Sequence, residues 1–127
     1  MCGIAGAVGN ITFASEPALC SLEHRGRDSH GNVYEGVGPD ALRLVHTRLA
    51  IQDLSPHGKQ PMVSADQRYV LCYNGEIYNF RELMDELKSQ GVIFRSHCDT
   101  EVLLEGWAKH GPSFLDRCNG MFAFALW

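Results

Sequence analysis

The 127-residue sequence lacks the patterns that mark several large classes of protein. Its longest apolar run, Met121 to Trp127, is far too short to span a bilayer. The apolar N-terminus carries no basic region and is interrupted by glycines, which excludes a secretory signal. The formal net charge of −4 argues against a surface that binds nucleic acid or an anionic membrane. We therefore expect a cytoplasmic domain with neither kind of partner.

The cysteines and histidines lack the close spacing of a metal site. No Cys-X-X-Cys pair and no His-Glu-X-X-His motif occurs. The five cysteines are odd in number and far apart, which indicates free thiols in a reducing compartment. A glycine-rich phosphate-binding motif is also missing. We expect no metal and no cofactor in this chain.

What the sequence does have is a cysteine at its second position. If Met1 were removed, Cys2 would carry a thiol and an α-amine on the same residue. Such an amine has a pKa of roughly 7.7–8.0, so it can accept the thiol proton near neutral pH. The alternative is that Cys2 belongs by chance to a buried first strand.

Apolar segments bounded by turn residues predict the strands. Four segments are apolar enough to be strands: residues 2–8, 42–51, 69–73 and 121–127. The polar segment 24–31, which contains glycine, predicts a loop. A further loop containing proline and glycine is expected around 55–58.

Three helices are predicted from caps and apolar stripes. Ser15 as the N-cap and Pro17 inside the first turn are typical of a helix start. Asn79 can cap a second helix, whose apolar positions 80, 83, 84 and 87 form one stripe that ends before Gly91. The third helix starts near Asp99 and stops at Gly111.

Arg48 lies near the end of a predicted apolar strand. A buried guanidinium costs free energy unless an anion meets it. Its planar fork suits a bound carboxylate, which would make Arg48 a ligand-binding residue. A structural ion pair with an internal Asp or Glu explains the same residue, and the local sequence favours that alternative.

Asn74-Gly75 also follows a strand. Asn-Gly is a strong hairpin turn signal, but the pattern after it is helical and offers no partner strand. The second interpretation leaves Asn74 exposed at a strand end, where its amide NH₂ and the Gly75 N–H could form an oxyanion hole. The local sequence does not separate these interpretations.

Asp99 precedes the third predicted helix. Capping of that helix is the simpler role for its carboxylate. Binding of a substrate ammonium group is the alternative, and the two roles can coexist because a carboxylate has several acceptor sites.

Taken together, these segments resemble the glutaminase domain of asparagine synthetases, a class II glutamine amidotransferase domain of the N-terminal-nucleophile hydrolase type. The resemblance covers the chain from end to end, in the family's order. The matching stretches are Met1-Cys2-Gly3-Ile4-Ala5-Gly6, His24-Arg25-Gly26, residues 48–55, Gly58-Lys59-Gln60-Pro61-Met62, Tyr73 to Asn79, Asp99-Thr100-Glu101 and residues 119–125. The family usually has a proline where this chain has Arg27.

The resemblance implies an α+β fold, a four-layer αββα sandwich of antiparallel sheets, and hydrolysis of glutamine to glutamate and ammonia. It implies that Cys2 is the nucleophile with its own α-amine as base, and that the Asn74 side chain and the Gly75 N–H form the oxyanion hole. The implied substrate-binding residues are Arg48 for the α-carboxylate, Asp99 with Glu76 for the α-amino group, and Leu49, Ile51 and Gln52 along the pocket.

The resemblance also implies a larger protein. In the family this domain continues past Trp127 and is followed in cis by an ATP-dependent synthetase domain, so residues 1–127 are expected to be a partial glutaminase domain. ATP and Mg²⁺ are expected only for that absent domain, and aspartate is the default ammonia acceptor. The apolar end of the chain predicts an exposed sheet edge and a homo-oligomer. The alternative function is a catalytically silent module that binds glutamine or a partner.

Overall fold

The computed structural model describes residues 1–10, 12–51 and 53–127. They form six strands and three α-helices, with short 3₁₀ turns between several of them. The elements are β1 (Gly3–Val8), α1 (Ser15–Leu22), β2 (Ser29–Glu35), β3 (Leu42–Arg48), β4 (Met62–Val63), β5 (Val70–Ile77), α2 (Phe80–Ser89), α3 (Asp99–His110) and β6 (Gly120–Leu126). No helix of the described residues has the length and apolar character needed to cross a membrane.

The described strands form two three-stranded antiparallel sheets, with strand orders β1-β3-β2 and β4-β5-β6. Helix α1 packs on β3 of the first sheet, where the Thr47 hydroxyl donates to the Leu22 carbonyl oxygen over 3.1 Å. Helices α2 and α3 pack on the outer face of the second sheet. The order of layers is therefore helix, sheet, sheet, helices, which confirms the predicted α+β sandwich.

Strand β5 faces an apolar core on each side. Val70 and Cys72 pack between the two sheets, together with Leu42 and Leu44 of β3. The alternating β5 side chains pack instead against α2 and α3. Burial on both faces explains why this strand begins as a continuous apolar run rather than an alternating one.

Helix α2 is attached by the stripe that its sequence predicts. Leu83, Met84 and Leu87 are buried against the second sheet. Burial of each such side chain stabilises the fold by roughly 1.5–3 kcal/mol. The helix is followed by Gly91 at φ +89°, a left-handed conformation that favours glycine. Helix α3 likewise ends before Gly111 at φ +69°.

Strand β2 corrects the predicted loop over residues 24–31. The segment begins as a 3₁₀ turn but becomes a strand at Ser29, which pairs with Arg48 of β3. This strand lies at the edge of its sheet, where polar side chains remain in solvent and no apolar alternation is required. Strand β3 in turn ends at Arg48, earlier than the predicted end at Ile51.

The predicted caps of α1 and α2 are absent. Asn79 precedes α2 but does not cap it. Its side chain instead bridges to the Arg117 carbonyl oxygen (2.9 Å) and the Asn119 N–H (2.9 Å). Helix α1 begins at Ser15 itself, after an uncapped Ala14.

Strand β6 is an edge of the second sheet among the described residues, as the apolar end of the chain predicts. It pairs with β5 from Ile77↔Gly120 to Leu71↔Leu126. Self-association through this edge stays a prediction.

Candidate active site

A single cavity of about 460 Å³ brings together eight of the nine residues predicted to form the site. This volume lies within the range of roughly 300–1,000 Å³ that is typical of small-molecule sites. The predicted residues along its wall are Cys2, Arg48, Leu49, Ile51, Asn74, Gly75, Glu76 and Asp99. The ninth, Gln52, lies outside the described residues. These side chains come from four distant parts of the sequence, so the fold has to assemble them.

Cys2 lies just before β1 and is half-buried. The Leu49 N–H donates to its Sγ over 3.5 Å, so the thiol lies beside the end of β3. The Arg25 Nε donates to the Cys2 carbonyl oxygen over 2.9 Å, which fixes the main chain next to the thiol. Cys2 is thus held from two sides at the mouth of the cavity.

The loop that contains Arg27 is built into this end of β3. The Asp28 N–H donates to the Arg48 carbonyl oxygen (3.0 Å), and the Asp28 carboxylate accepts from the Ala50 N–H (2.7 Å). A Cβ at Gly26 would lie 2.5 Å from the Arg48 carbonyl carbon, so only glycine permits this approach. The loop therefore fixes the main chain between Arg48 and Ala50 despite the absence of the family's proline.

Arg48 is 8% exposed and lines the cavity. Its Nη1 donates to the Ser55 carbonyl oxygen over 2.9 Å, and its Nη2 donates to the Asp53 carbonyl oxygen. No carboxylate lies within 4.0 Å of it in residues 1–10, 12–51 and 53–127. The internal ion pair that the sequence favoured is therefore not formed by the described residues, and the charge is available to a bound anion.

Asn74 and Gly75 lie inside β5 rather than at its end, which corrects both sequence interpretations. The strand continues to Ile77, and Asn74 pairs with Ala123 of β6. A hairpin at Asn74-Gly75 is excluded because the strand does not turn there. The polar residues of this segment concealed the continuation of the strand.

The hydrogen-bond alternation of β5 nevertheless leaves the Gly75 N–H turned away from β6. Val70 and Trp127 exchange two main-chain bonds of 2.9 Å, so residues at even positions of β5 face β6. Odd positions face the opposite edge: the Tyr73 N–H bonds to Gln60 and the Ile77 N–H to Asp99. The Gly75 N–H lies on that edge between them, and Gly75 and Asn74 both line the cavity.

Gly75 is also required for the approach of the two strands. A Cβ there would lie 2.5 Å from the Phe122 Cα of β6 and closer still to that residue's Cβ. Any larger residue would push β6 away from β5. Glycine thus brings a main-chain N–H to the cavity wall without a side chain that covers it.

The Asp99 carboxylate does not act as the helix cap that the sequence predicts. Helix α3 begins at Asp99 itself, and Oδ2 accepts from the Tyr73 hydroxyl (2.7 Å) and the Ile77 N–H (3.0 Å). Burial raises the pKa of Asp99, whereas these two bonds lower it, and the nearby Glu76 carboxylate raises it further. A carboxylate at this depth suits a cationic group in the cavity.

Several cavity residues were not singled out from the sequence, among them three with buried polar side chains. Tyr73, Gln60 and Thr100 line the same wall and are buried. All three lie in stretches that carry the family resemblance, and this was the only feature of the sequence that could have indicated them. Their hydrogen bonds could not be read from sequence because they join residues up to 40 positions apart.

The arrangement has the parts that acyl transfer requires. A thiol lies at one side of the cavity, an amide NH₂ and a main-chain N–H at another, and an arginine and a buried carboxylate can bind opposite charges of one ligand. The described residues contain no group of three or more His, Cys, Asp or Glu side chains that could hold a metal ion.

Comparison with known proteins assigns this assembly to a family. The sequence profile of the glutamine amidotransferase domain matches residues 1–127. The chain belongs to this family. The cavity is therefore the candidate active site of a glutamine amidotransferase domain.

Its relatives include much longer enzymes. The amidotransferase domain is 40% identical over 144 residues to the putative glutamine-hydrolysing asparagine synthetase of Mycobacterium tuberculosis, with 100% of this chain and 22% of the relative covered. It is 39% identical over 133 residues to asparagine synthetase B of Escherichia coli, with coverage of 100% and 23%. The amidotransferase domain thus spans about a fifth of the length of these relatives.

A solved structure supports the fold of the amidotransferase domain. The glutamine phosphoribosylpyrophosphate amidotransferase of B. subtilis, solved with ADP and GMP, superposes with a TM-score of 0.73. The alignment covers 99% of this chain and 34% of that one, at 24% identity. At this identity the likeness establishes the fold alone, in agreement with the layered sandwich described above.

Proposed function

We propose that the amidotransferase domain hydrolyses glutamine to glutamate and ammonia with Cys2 as the nucleophile. The observation that carries the proposal is the convergence on a single cavity of one thiol, one buried carboxylate and one guanidinium that forms no ion pair with the described residues. The guanidinium and the carboxylate match the two charges of a free amino acid. The thiol matches the chemistry of its side-chain amide.

Arg48 and Asp99 define how glutamine lies. The Arg48 guanidinium binds the α-carboxylate, because charge-assisted hydrogen bonds are the strong ones and no described carboxylate occupies it. Asp99, with Glu76, accepts the α-ammonium group. Leu49 and Ile51 line the rest of the binding site. A contribution from Gln52, which lies outside the described residues, stays a prediction from the sequence.

The reaction then proceeds in two steps. The Cys2 thiolate attacks the side-chain amide carbon, and the Asn74 NH₂ and the Gly75 N–H stabilise the oxyanion that forms. The C–N bond breaks, ammonia leaves with a proton from the Cys2 α-ammonium group, and a thioester remains on the sulfur. Water cleaves the thioester, which releases glutamate and restores the thiol.

In the whole protein the ammonia would be used by a second domain. We infer that the complete enzyme transfers it to an acceptor carboxylate, by default that of aspartate, in an ATP-dependent and Mg²⁺-dependent domain outside this chain. The names and lengths of the relatives support this assignment. Five free thiols are compatible with a cytoplasmic location.

The test is a glutaminase assay on the chain with Met1 removed, with intact-mass analysis for the thioester. Ammonia release and a transient mass increase by one glutamyl group are expected. Cys2→Ala should lose both, whereas Cys20→Ala, which removes an exposed thiol of α1, should keep both. Glutamine binding without ammonia release would identify a silent binding module instead.

A further inference from the structure

Tyr73 has every one of its polar groups engaged, although the residue is only 2% exposed. Its N–H donates to Gln60 Oε1 over 2.5 Å, and its carbonyl oxygen lies 3.2 Å from His46 Nε2. Its hydroxyl donates to Asp99 Oδ2 over 2.7 Å. One residue thus joins the turn before β4, strand β3 and helix α3.

The ends of the strands explain why side chains bond to this part of β5. Strand β4 is only two residues long and pairs with Val70 and Leu71. Tyr73 presents its main-chain groups to the same edge, beyond the end of β4, where no strand continues. Gln60 and His46 supply the acceptor and donor that a strand would have supplied, so no buried main-chain group of Tyr73 is left unsatisfied.

The bonds also form a closed circuit around Asp99. Gln60 Nε2 donates to the Thr100 Oγ1 over 3.3 Å, and Gln60 Oε1 accepts from the Tyr73 N–H. Tyr73 bonds to Asp99, the residue that precedes Thr100. All four residues are buried, and buried hydrogen-bond networks of this kind hold their members in one arrangement.

We propose that Tyr73 is a positioning residue that aims the Asp99 carboxylate at the ammonium group of glutamine. The inference rests on the proposed function of Asp99. The Tyr73 hydroxyl and the Ile77 N–H both bond to Oδ2, and Asp99 lines the cavity, so the carboxylate keeps acceptor sites for the ligand. Tyr73 acts through Asp99 and does not itself touch glutamine.

The direct test is Tyr73→Phe, which removes the hydroxyl and leaves both main-chain bonds in place. We expect KM for glutamine to rise by about tenfold or more, the loss expected for one hydrogen bond to a charged group. The kcat should not change, because Cys2, Asn74 and Gly75 keep their positions. Tyr34→Phe is the matched control: it removes a tyrosine hydroxyl from a half-exposed side chain of β2, away from the cavity, and should leave KM unchanged.

A double-mutant cycle separates positioning from general packing. In an Asp99→Asn background, Tyr73→Phe should raise KM no further, because the carboxylate it positions is gone. Additive effects of the two changes, or an unchanged KM in Tyr73→Phe, would overturn the inference. If Tyr73→Phe does not fold, Thr100→Val opens the same circuit at its other end, and an unchanged KM there would overturn the inference equally.

The same assay distinguishes failure of the proposed function from failure of the positioning role of Tyr73. An unaltered chain, with Met1 removed, that neither binds nor hydrolyses glutamine would refute the proposed function and this inference with it. An active unaltered chain whose Tyr73→Phe variant has the same KM would refute the inference alone.

Discussion

The Arg48 guanidinium lies against Gly58, at a position that any side chain on residue 58 would occupy. A Cβ added at Gly58 would lie 2.9 Å from the Arg48 Cζ and closer still to its Nη2. Gly58 ends the 3₁₀ turn Pro56–Gly58, whose first flanking residue, Ser55, accepts a hydrogen bond from the same guanidinium. The turn thus supports the guanidinium and leaves room for it.

This contact predicts that Gly58→Ala acts on substrate binding more than on stability. The end of a flexible arginine side chain moves more readily than the main chain, so the added methyl should displace the guanidinium. KM for glutamine should rise while kcat is kept. Steady-state kinetics and a melting curve check this, and a large fall in melting temperature at unchanged KM would contradict it.

Arg48→Ala should raise KM for glutamine at least as much as Gly58→Ala, because it removes the guanidinium altogether. Loss of a charge-assisted hydrogen bond should weaken glutamine binding by roughly 1.5–3 kcal/mol, about a 10- to 150-fold rise in KM. Arg68→Ala, which removes an exposed arginine outside the cavity, is the control. If kcat falls and KM stays constant, Arg48 does not bind the carboxylate of glutamine.

Asn74→Ala should lower kcat and leave KM nearly unchanged. The loss of one of two oxyanion donors should reduce kcat by roughly 10²–10³. Asn32→Ala makes the same chemical change at an exposed position of β2 and should have no effect. A kcat for Asn74→Ala close to that of the parent chain would remove Asn74 from the oxyanion hole.

His46 makes the stability of the domain depend on pH. Burial lowers the pKa of His46 from 6.5 to about 4, with a smaller opposing contribution from its bond to the Tyr73 carbonyl oxygen. The unfolded chain therefore binds the proton first as the pH falls. The contribution of His46 to the free energy of unfolding is complete above pH 6.5. It is lost as the pH falls to about 4, and the total loss is about 3 kcal/mol.

His46→Gln isolates this contribution because glutamine can donate to the Tyr73 carbonyl oxygen but does not titrate. Unfolding in urea at about pH 7.5 and about pH 4 gives the free energies of unfolding for both chains. The advantage of the parent chain over the variant should shrink by up to about 3 kcal/mol at the lower pH. An advantage that is the same at both pH values would contradict the assignment.

The elements that the sequence predicted well are those whose apolar residues are the ones that become buried. The apolar run at the start of β5 and the stripe of α2 follow from packing against two cores and one, respectively. Strand β2 and the second half of β5 were missed because their residues are polar. Pairing with a neighbouring strand, which single-sequence patterns do not record, decides those segments.

The site residues were likewise predicted in part. The residue types of Cys2, Arg48 and Asp99 indicated a nucleophile and two charged binding groups, and the structure brings them to one cavity. What each contacts could not be predicted. The carboxylate of Asp99 bonds across to β5, because the fold places the Tyr73 hydroxyl and the Ile77 N–H there.

Met1 offers the most direct test of the central claim that Cys2 supplies both nucleophile and base. Met1 lines the cavity beside Cys2 and is 70% exposed, and while it is attached the Cys2 nitrogen is an amide that cannot accept a proton. The measurement is ammonia release from glutamine before and after treatment with a methionine aminopeptidase, with intact mass to follow the loss of one methionine. Ammonia release should rise from near zero on removal of Met1. Equal activity in the two forms, or none after complete removal, would contradict it.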